Sequence, residues 1–410
     1  MTPLISILIA TKNRQRYCLS AVKSILALDS QKIQVVVQDN SDEPEILKNM
    51  LLPYISDSRL IYHYTPPPFS SIDNFNAAIE LATGEYVCLI GDDDGINPEI
   101  IKVTEWAKCN NIECLTGSIS VTYRWDNVGD RQKFFIKLPS SSLMITKFTG
   151  EFEKVNLENS LEMLMSNGCA NFNIAPFPKL YHGIVLKKLL DEIKTETGSY
   201  LKGLSPDIYA AVSLAFKSKK FIHIDYPLTM PGVCAESTSI TEGEKRTNSK
   251  KLSDAPHLKG RKEPYQWEKN VPEIYCVHTI WADSAFAALR EFDRDDLIAK
   301  FDDFALAVNI LSHEPSVKDD VYNYLQDRHP DLSVSEIEKM LKQSNKDKKL
   351  PRTIKENITR IKRALKLEEF KIIPNLHNME QATLVLTEYL ANSDVKLGNS
   401  LSDLDTSLLN

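Results

Sequence analysis

Long apolar runs are missing from this 410-residue sequence, and none approaches the roughly 18 residues that a membrane-spanning helix needs. The formal net charge of −7 disfavours a general nucleic-acid binder, which would usually be basic. The seven cysteines show none of the paired spacings typical of metal sites, and a reducing compartment fits them best. No basic-then-apolar leader precedes the first apolar run. We therefore expect a cytoplasmic protein that is soluble or bound peripherally to the inner face of the cell membrane.

The common nucleotide-binding and nucleophile motifs are also missing. No Gly-x-Gly-x-x-Gly follows the first apolar run, and neither a Walker loop nor a nucleophile elbow occurs. A dinucleotide-binding Rossmann site is therefore disfavoured. The content of 42% hydrophobic and 26% charged residues is nevertheless ordinary for a globular protein with a large core.

The first part of the chain alternates apolar runs with helical patterns of about ten to fifteen residues, which predicts an α/β fold with a doubly wound, mostly parallel sheet. The predicted strands before the first acidic cluster are Leu4–Ala10, Ile33–Gln38, Arg59–Tyr64 and Glu85–Ile90. From about Pro264 the pattern becomes helical. We predict a catalytic domain over 1–263, a helical C-terminal region over 264–397 and a flexible tail over 398–410.

Three carboxylates, Asp92, Asp93 and Asp94, follow the buried run that ends at Ile90. Open α/β sheets bind ligands at the carboxyl ends of their strands. On extended backbone Asp92 and Asp94 would point to the same side, which suits one Mg²⁺ or Mn²⁺ shared with a diphosphate. The alternative is an acidic turn, because Asp-Gly is also a turn signal.

Polar residues also follow the first two strands. Thr11, Asn13 and Arg14 end the first strand, and Asp39 ends the second. Thr11 could bond a base or a sugar, Arg14 could meet a phosphate, and Asp39 could accept from a base N–H or a ribose hydroxyl. The alternative for the segment that begins at Asp39 is helix capping.

These segments resemble family 2 glycosyltransferases over roughly residues 3–230, which implies a GT-A fold. The matching pieces are Leu4–Arg14, the Asp39 segment, Asn74–Ala78, Thr83–Val87 and Gly91–Asp94. The resemblance implies a nucleotide-sugar donor, a divalent metal held by an Asp-x-Asp motif, and inversion at the anomeric carbon. The sequence departs from the family at Gln38–Ser41, where many members have two adjacent acids before Gly-Ser.

The resemblance also implies roles for matching positions. Thr11 and Asp39 would hold the base, Asn76 would lie near the ribose or diphosphate, and Asp94 would bind the metal. Asp92 would face the ribose or sugar, and we count it as a metal ligand too. Asp93 is placed with the donor-binding residues.

The resemblance places a catalytic base downstream of the Asp-x-Asp motif, near the start of a helix. Ser205-Pro206-Asp207 reads as such a start, so we predict Asp207 as the base. The alternative is an acid stabilised by the helix dipole and nothing more. Asp225 and Glu236 are the next candidates.

Two lone histidines and one basic helix have open interpretations. His182 and His223 could contact substrate or metal, although a lone histidine is more often structural. The predicted helix 352–366 carries isoleucines and a leucine on one face and basic residues elsewhere. It could rest on an anionic membrane, or it could pack on the core with its basic face in solvent.

We predict an inverting, metal-dependent glycosyltransferase that moves a sugar, most plausibly from a UDP-sugar, to a hydroxyl of a saccharide or lipid-linked acceptor. Bacterial surface polysaccharide synthesis is the expected setting. The alternatives are a sugar-nucleotide nucleotidyltransferase, for which the residues after the first strand lack the expected glycines, and a non-catalytic sugar- or partner-binding subunit.

Overall fold

The fold is that of a computed structural model, which describes residues 2–133, 136–172, 175–236, 252, 258–261, 263–346 and 370–395. The predicted basic helix 352–366 and the predicted tail 398–410 lie outside these residues. None of the described helices is long and apolar enough to cross a membrane.

Strands and helices alternate through about the first 117 residues, as predicted, whereas six strands follow one another between residues 114 and 154 before the next α-helix. In chain order they are β1 (Ile5–Thr11), α1 (Gln15–Leu26), β2 (Ile33–Asp39), α2 (Pro44–Leu51), β3 (Leu60–Tyr64), α3 (Ser71–Glu80), β4 (Tyr86–Ile90), β5 (Gly95–Ile96), α4 (Ile100–Cys109), β6 (Cys114–Gly117), β7 (Val121–Arg124), β8 (Arg131–Lys133), β9 (Ile136–Leu138), β10 (Ser142–Thr146), β11 (Phe152–Lys154), α5 (Leu157–Ser166), β12 (Gly183–Leu186), α6 (Lys187–Thr197), α7 (Pro206–Lys217), β13 (Phe221–Ile224), β14 (Thr229–Met230) and β15 (Gly232–Val233).

The central sheet has eight strands in the order β11-β13-β6-β12-β4-β1-β2-β3. The pairs β1/β2, β2/β3, β1/β4 and β6/β13 are parallel, whereas β12 runs antiparallel to both of its neighbours and β11 runs antiparallel to β13. The predicted fold class, an α/β fold with a doubly wound, mostly parallel sheet, is therefore confirmed. The apolar residues near 113–123 also predict one further strand, and this prediction is wrong, because the stretch forms two strands, β6 and β7, that belong to different sheets.

The strands at the centre of the sheet are buried on both faces, as their unbroken apolar sequences predict. Successive side chains alternate between two cores, so that Ile7 and Ile9 face one cluster and Leu8 faces the other. Helices α1, α2 and α4 contribute to the first core, and α3, α5, α6 and α7 contribute to the second. The sheet is thus covered on both sides, and its strand ends remain available for a site.

The C-terminal region begins with the predicted helices. They are α8 (Val277–Glu291), α9 (Asp295–Ile298), α10 (Asp303–His313), α11 (Lys318–Arg328) and α12 (334–346). Helix α8 packs against α7, and its small and apolar residues Ala285, Phe286 and Leu289 share a core with Ile208 and Val212 of α7.

The C-terminal region is not wholly helical, which corrects the prediction for 264–397. Strand β16 (Phe370–Ile373) pairs antiparallel with β10 and completes a second sheet in the order β15-β7-β10-β16. The following helix, α13 (Met379–Ala391), packs on α1, where the Met379 amide donates to Ser20 Oγ at 2.9 Å. All four residues of β16 are exposed or half-buried, and so short a strand shows little alternation from which it could be predicted.

Candidate active site

The polar strand ends converge at one edge of the sheet, as predicted. Thr11 and Asp39 are register partners at the ends of β1 and β2, and Ile90 pairs with Ile9 one strand away. The acidic residues that follow Ile90 therefore lie beside Thr11, whose Oγ1 donates to Asp92 Oδ2 at 2.6 Å.

The three acids lie in a turn, so the extended backbone assumed for Asp92 and Asp94 was wrong. The Asp94 amide donates to the Gly91 carbonyl oxygen at 3.2 Å and closes the turn. Asp92 and Asp94 consequently have different protein partners. The backbone at Gly91 is closely approached, because a Cβ there would lie 2.7 Å from the Tyr181 hydroxyl.

Arg14 neutralises part of the acidic turn. Its Nη1 lies 3.1 Å from Asp92 Oδ1, and its Nη2 lies 2.9 Å from Asp93 Oδ2. Burial raises the pKa of Asp92 to about 7, and the Arg14 charge opposes that rise. One cation thus serves two carboxylates.

Asp94 is held by donors from three separate segments. Its Oδ2 accepts from the Gly91 amide at 2.6 Å and from the Tyr181 hydroxyl at 2.9 Å, and its Oδ1 accepts from the Gly232 amide at 2.6 Å. Burial raises the pKa of this carboxyl, while the three donors lower it. The hydrogen bonds fix the carboxylate in place.

His182 lies at this site, whereas His223 does not touch the acids. His182 Nε2 is 3.5 Å from Asp94 Oδ2, and its Nδ1 is 2.8 Å from Thr229 Oγ1. Burial lowers the pKa of His182 to about 3, so the imidazole is neutral near pH 7. His182 therefore lies beside Asp94 as a neutral ring and does not offset the charge of that carboxylate.

The segment 231–236, in which only Glu236 was a candidate from the sequence, closes over the acidic turn. After the Gly232 amide, Cys234 Sγ accepts from Arg14 Nη2 at 2.9 Å, and Glu236 Oε2 accepts from the Tyr17 hydroxyl at 2.5 Å. A Cβ at Gly232 would overlap the Asp93 carbonyl oxygen, so only glycine permits this approach. Gly232 is the one sign of this contact in the sequence, because a glycine lets two backbone segments approach closely.

The remaining predicted donor ligands are engaged with the protein. Asp39 is fully buried and accepts from the Tyr62 hydroxyl at 3.0 Å. Asn13 exchanges hydrogen bonds with Asp42 rather than with the acidic turn. Asn76 bonds the Leu201 peptide with both ends of its amide. The roles assigned to these residues remain predictions.

Asp207 lies in the first turn of α7, as predicted, and is half-buried. Within the described part of the chain its carboxylate makes no hydrogen bond or ion pair. Burial raises its pKa to about 6, the Lys179 charge lowers it, and the Asp94 charge raises it. The negative charge of Asp94 therefore acts on the Asp207 carboxyl.

The two alternative candidates for the base, Asp225 and Glu236, accept hydrogen bonds from other residues. Asp225 Oδ2 accepts from both the amide and the hydroxyl of Thr149, at 2.9 and 3.0 Å. Glu236 accepts from Tyr17 and Asn127, and these hydrogen bonds lower its pKa although burial opposes them. Both carboxylates serve local structure.

The donor set suits a hard divalent cation. In the described part of the chain, three buried carboxyl groups lie close to one guanidinium and one neutral imidazole. Each carboxylate has about four lone-pair positions, so Asp92 and Asp94 retain acceptor capacity beyond their protein partners. No cluster of three His, Cys, Asp or Glu ligands occurs among the described residues, so phosphate oxygens and water would complete the coordination.

Comparison with known proteins gives one family match. The family model described as Glycosyl transferase family 2 matches residues 6–170. WcaA of Escherichia coli (strain K12), provisionally named a colanic acid biosynthesis glycosyl transferase, is 32% identical over 101 residues. The match covers 25% of this chain and 36% of WcaA, so the chain spans about a third of that relative's length.

Two solved structures are also similar. S. aureus TarS 1-349 in complex with UDP-GlcNAc is 15% identical, with a TM-score of 0.45, over 80% of this chain and 92% of that one. The 4-diphosphocytidyl-2C-methyl-D-erythritol synthase of Anaerococcus prevotii DSM 20548 is 11% identical, with a TM-score of 0.31, over 58% of this chain and 92% of that one.

Proposed function

We propose that the chain, whose residues 6–170 match the family model of glycosyl transferase family 2, transfers a sugar, with inversion, from a UDP-sugar to a hydroxyl of a saccharide or lipid-linked acceptor. The setting is synthesis of a bacterial surface polysaccharide. The observation that carries this proposal is the convergence of Thr11, Arg14 and the acidic turn at the ends of β1 and β4.

The donor would bind at the carboxyl edge of β1, β2 and β4. Asp39 and Thr11 lie where a base and ribose would reach the strand ends, and Arg14 lies where the diphosphate would pass. Asp92 and Asp94 would hold Mn²⁺ or Mg²⁺, which supplies positive charge at the leaving diphosphate. Asp93 keeps Arg14 beside the phosphate path.

The acceptor hydroxyl must lose a proton as it attacks the anomeric carbon. Asp207 is proposed to take it, because its carboxylate has free lone pairs and lies near the acidic turn without joining it. A base on the side opposite the leaving group is what inversion requires. Lys179, whose pKa burial lowers, contributes a charge that keeps Asp207 more readily ionised.

A thermal-shift panel of nucleoside diphosphates and UDP-sugars tests donor binding. UDP and UDP-N-acetylglucosamine are the first probes, each with Mn²⁺, with Mg²⁺ and with EDTA. Ligand at about 100 times its dissociation constant should add roughly 2.7 kcal/mol of stability, and EDTA should remove most of the shift. Asp94→Asn, which keeps the side-chain size, should abolish the metal-dependent part of the shift. If no nucleotide gives a metal-dependent shift, the glycosyltransferase proposal loses its main support.

Membrane association is proposed on the sequence of 352–366 alone. Basic residues near an anionic bilayer each contribute about 1 kcal/mol, and the attraction falls within a Debye length. Binding to anionic vesicles should therefore weaken steeply with salt, and neutralising Lys355, Lys362 and Lys366 together should abolish it. Salt-independent partitioning, or no vesicle binding, would favour a helix packed on the core.

A further inference from the structure

The segment 201–205, which leads into α7 and Asp207, is held by a side chain from the C-terminal region. The backbone amides of Leu204 and Ser205 both donate to Ser284 Oγ of α8, at 3.0 and 2.9 Å. A hydroxyl oxygen has two acceptor positions, so Ser284 alone satisfies two successive buried amides. Ser284 is fully buried, and a bond at this point is therefore shielded from water.

Gly203 allows this approach. Its φ of +75° belongs to the left-handed region, and a Cβ there would lie 2.7 Å from Ser284 Oγ. Both the conformation and the contact therefore require glycine, which indicates that α8 and the segment 201–205 are built to meet at this position.

Helix α3 holds the other end of the same segment through hydrogen bonds to Leu201. Asn76 Nδ2 donates to the Leu201 carbonyl oxygen at 3.0 Å, and the Leu201 amide donates to Asn76 Oδ1 at 2.9 Å. Two residues earlier on α3, Asn74 Nδ2 donates to the Thr11 carbonyl oxygen at 3.2 Å. Helix α3 thus ties the segment 201–205 to the donor side of the site.

Local capping does not set the start of α7. Ser205 is the N-cap residue, but its side chain makes no capping hydrogen bond. The position of the first turn, and of Asp207 within it, therefore depends on the backbone of 201–205 and on the groups that hold it.

We propose that Ser284 is a positioning residue for Asp207 and that α8 of the C-terminal region sets the distance between this carboxylate and the donor site. Asn76 is the matching anchor on the other side. The proposal rests on the proposed function of Asp207. It gives the C-terminal region a role in transfer, although Ser284 itself acts only through the backbone of Leu204 and Ser205.

A double-mutant cycle tests the proposal with the full-length chain. The substrate is the UDP-sugar that the wild-type chain turns over, starting with UDP-N-acetylglucosamine, and UDP release is measured per nucleotide-binding site. Ser284→Ala should lower turnover by about 10- to 100-fold, the cost of a small misplacement of a reacting group. In an Asp207→Asn background the same change should cost less than about twofold, because coupled residues are not additive.

Two further measurements separate positioning from general damage. Amide hydrogen exchange of the peptide spanning 201–209 should accelerate in Ser284→Ala, while metal-dependent UDP binding stays unchanged. Ser24→Ala is the matched control, because Ser24 is also buried on a helix but donates only to Ala21 of its own helix. It should change neither turnover nor exchange at 201–209.

The outcomes are distinguishable. Equal losses in the wild-type and Asp207→Asn backgrounds, or no loss at all, would overturn the positioning role and leave the proposed function standing. A wild-type chain that turns over no nucleotide sugar would overturn both. An Asp207→Asn chain of normal activity would overturn the positioning role together with the assignment of Asp207 as the base, and would leave sugar transfer itself standing. If Ser284→Ala does not fold, Ser284→Cys keeps the volume with a weaker acceptor, and the same cycle decides.

Discussion

Asp94 and Asp207 are both carboxyls whose pKa is raised by burial, yet the protein holds them in opposite ways. Asp94 accepts from Gly91, Tyr181 and Gly232. Asp207 accepts from nothing within the described residues, and only the charges of Lys179 and Asp94 act on it. A carboxylate fixed by three donors keeps its position when a ligand binds. A carboxylate with free lone pairs can take a proton.

The supports also differ in kind. Of the donors to Asp94, Gly91 belongs to the same turn, whereas Tyr181 and Gly232 come from distant segments, and together they fix the side chain itself. Asp207 is placed through its backbone, by the hydrogen bonds that Ser284 and Asn76 make to residues before α7. The site therefore combines a rigidly held Asp94 with a proposed base, Asp207, whose carboxylate makes no hydrogen bond within the described residues.

The largest expected effect comes from removing the free carboxylate. Asp207→Asn nearly keeps the size of the side chain but cannot accept the proton. Sugar transfer should fall by about 10²–10⁴-fold, the usual contribution of a general base. The measurement is UDP release under saturating donor.

The control for this variant is nucleotide binding, which should not change. Metal-dependent UDP binding by Asp207→Asn should equal that of the wild type, because no donor to Asp94 is touched. A variant that transfers at near wild-type rate would remove Asp207 from the mechanism. Asp225 and Glu236 would then be tested, although both already serve local structure.

The residues proposed to bind the donor could be predicted from the sequence better than the residues that hold the two carboxylates in place. Unbroken apolar runs reveal buried strands, and strand ends of a parallel sheet converge, so Thr11, Asp39 and the acidic turn could be placed together. The turn at Asp92–Asp94 matches the alternative that the Asp-Gly signal offered, and not the extended backbone on which both acids would point to the same side.

The partners from far along the chain could not be predicted. Gly232 and Ser284 reach the site through contacts between residues over 70 positions apart, and no local periodicity encodes such contacts. Strand β16 was missed for the same reason, since its partner β10 lies more than 200 residues earlier.

A smaller effect is expected from loosening Asp94. Tyr181→Phe removes one of its three donors and keeps the ring. A hydrogen bond to a charged group is worth about 1.5–3 kcal/mol, so UDP affinity in Mn²⁺ should weaken by roughly tenfold or more. Tyr86→Phe is the matched control. Tyr86 lies on the same sheet, and its hydroxyl donates to the Ile112 carbonyl oxygen, away from the acids. Equal affinities for the two variants would mean that Tyr181 does not fix Asp94 for binding.

The smallest effect is a pH dependence that reports Asp207 directly. Its pKa of about 6 means that the base is ionised above that pH and protonated below it. Turnover at saturating donor should therefore be flat above pH 7 and fall by about tenfold per unit below pH 6. Removing the Lys179 charge with Lys179→Gln should move the inflection upward, because that charge favours the ionised carboxylate. In Asp207→Asn the inflection should vanish. An inflection that persists in Asp207→Asn would assign the titration to another group.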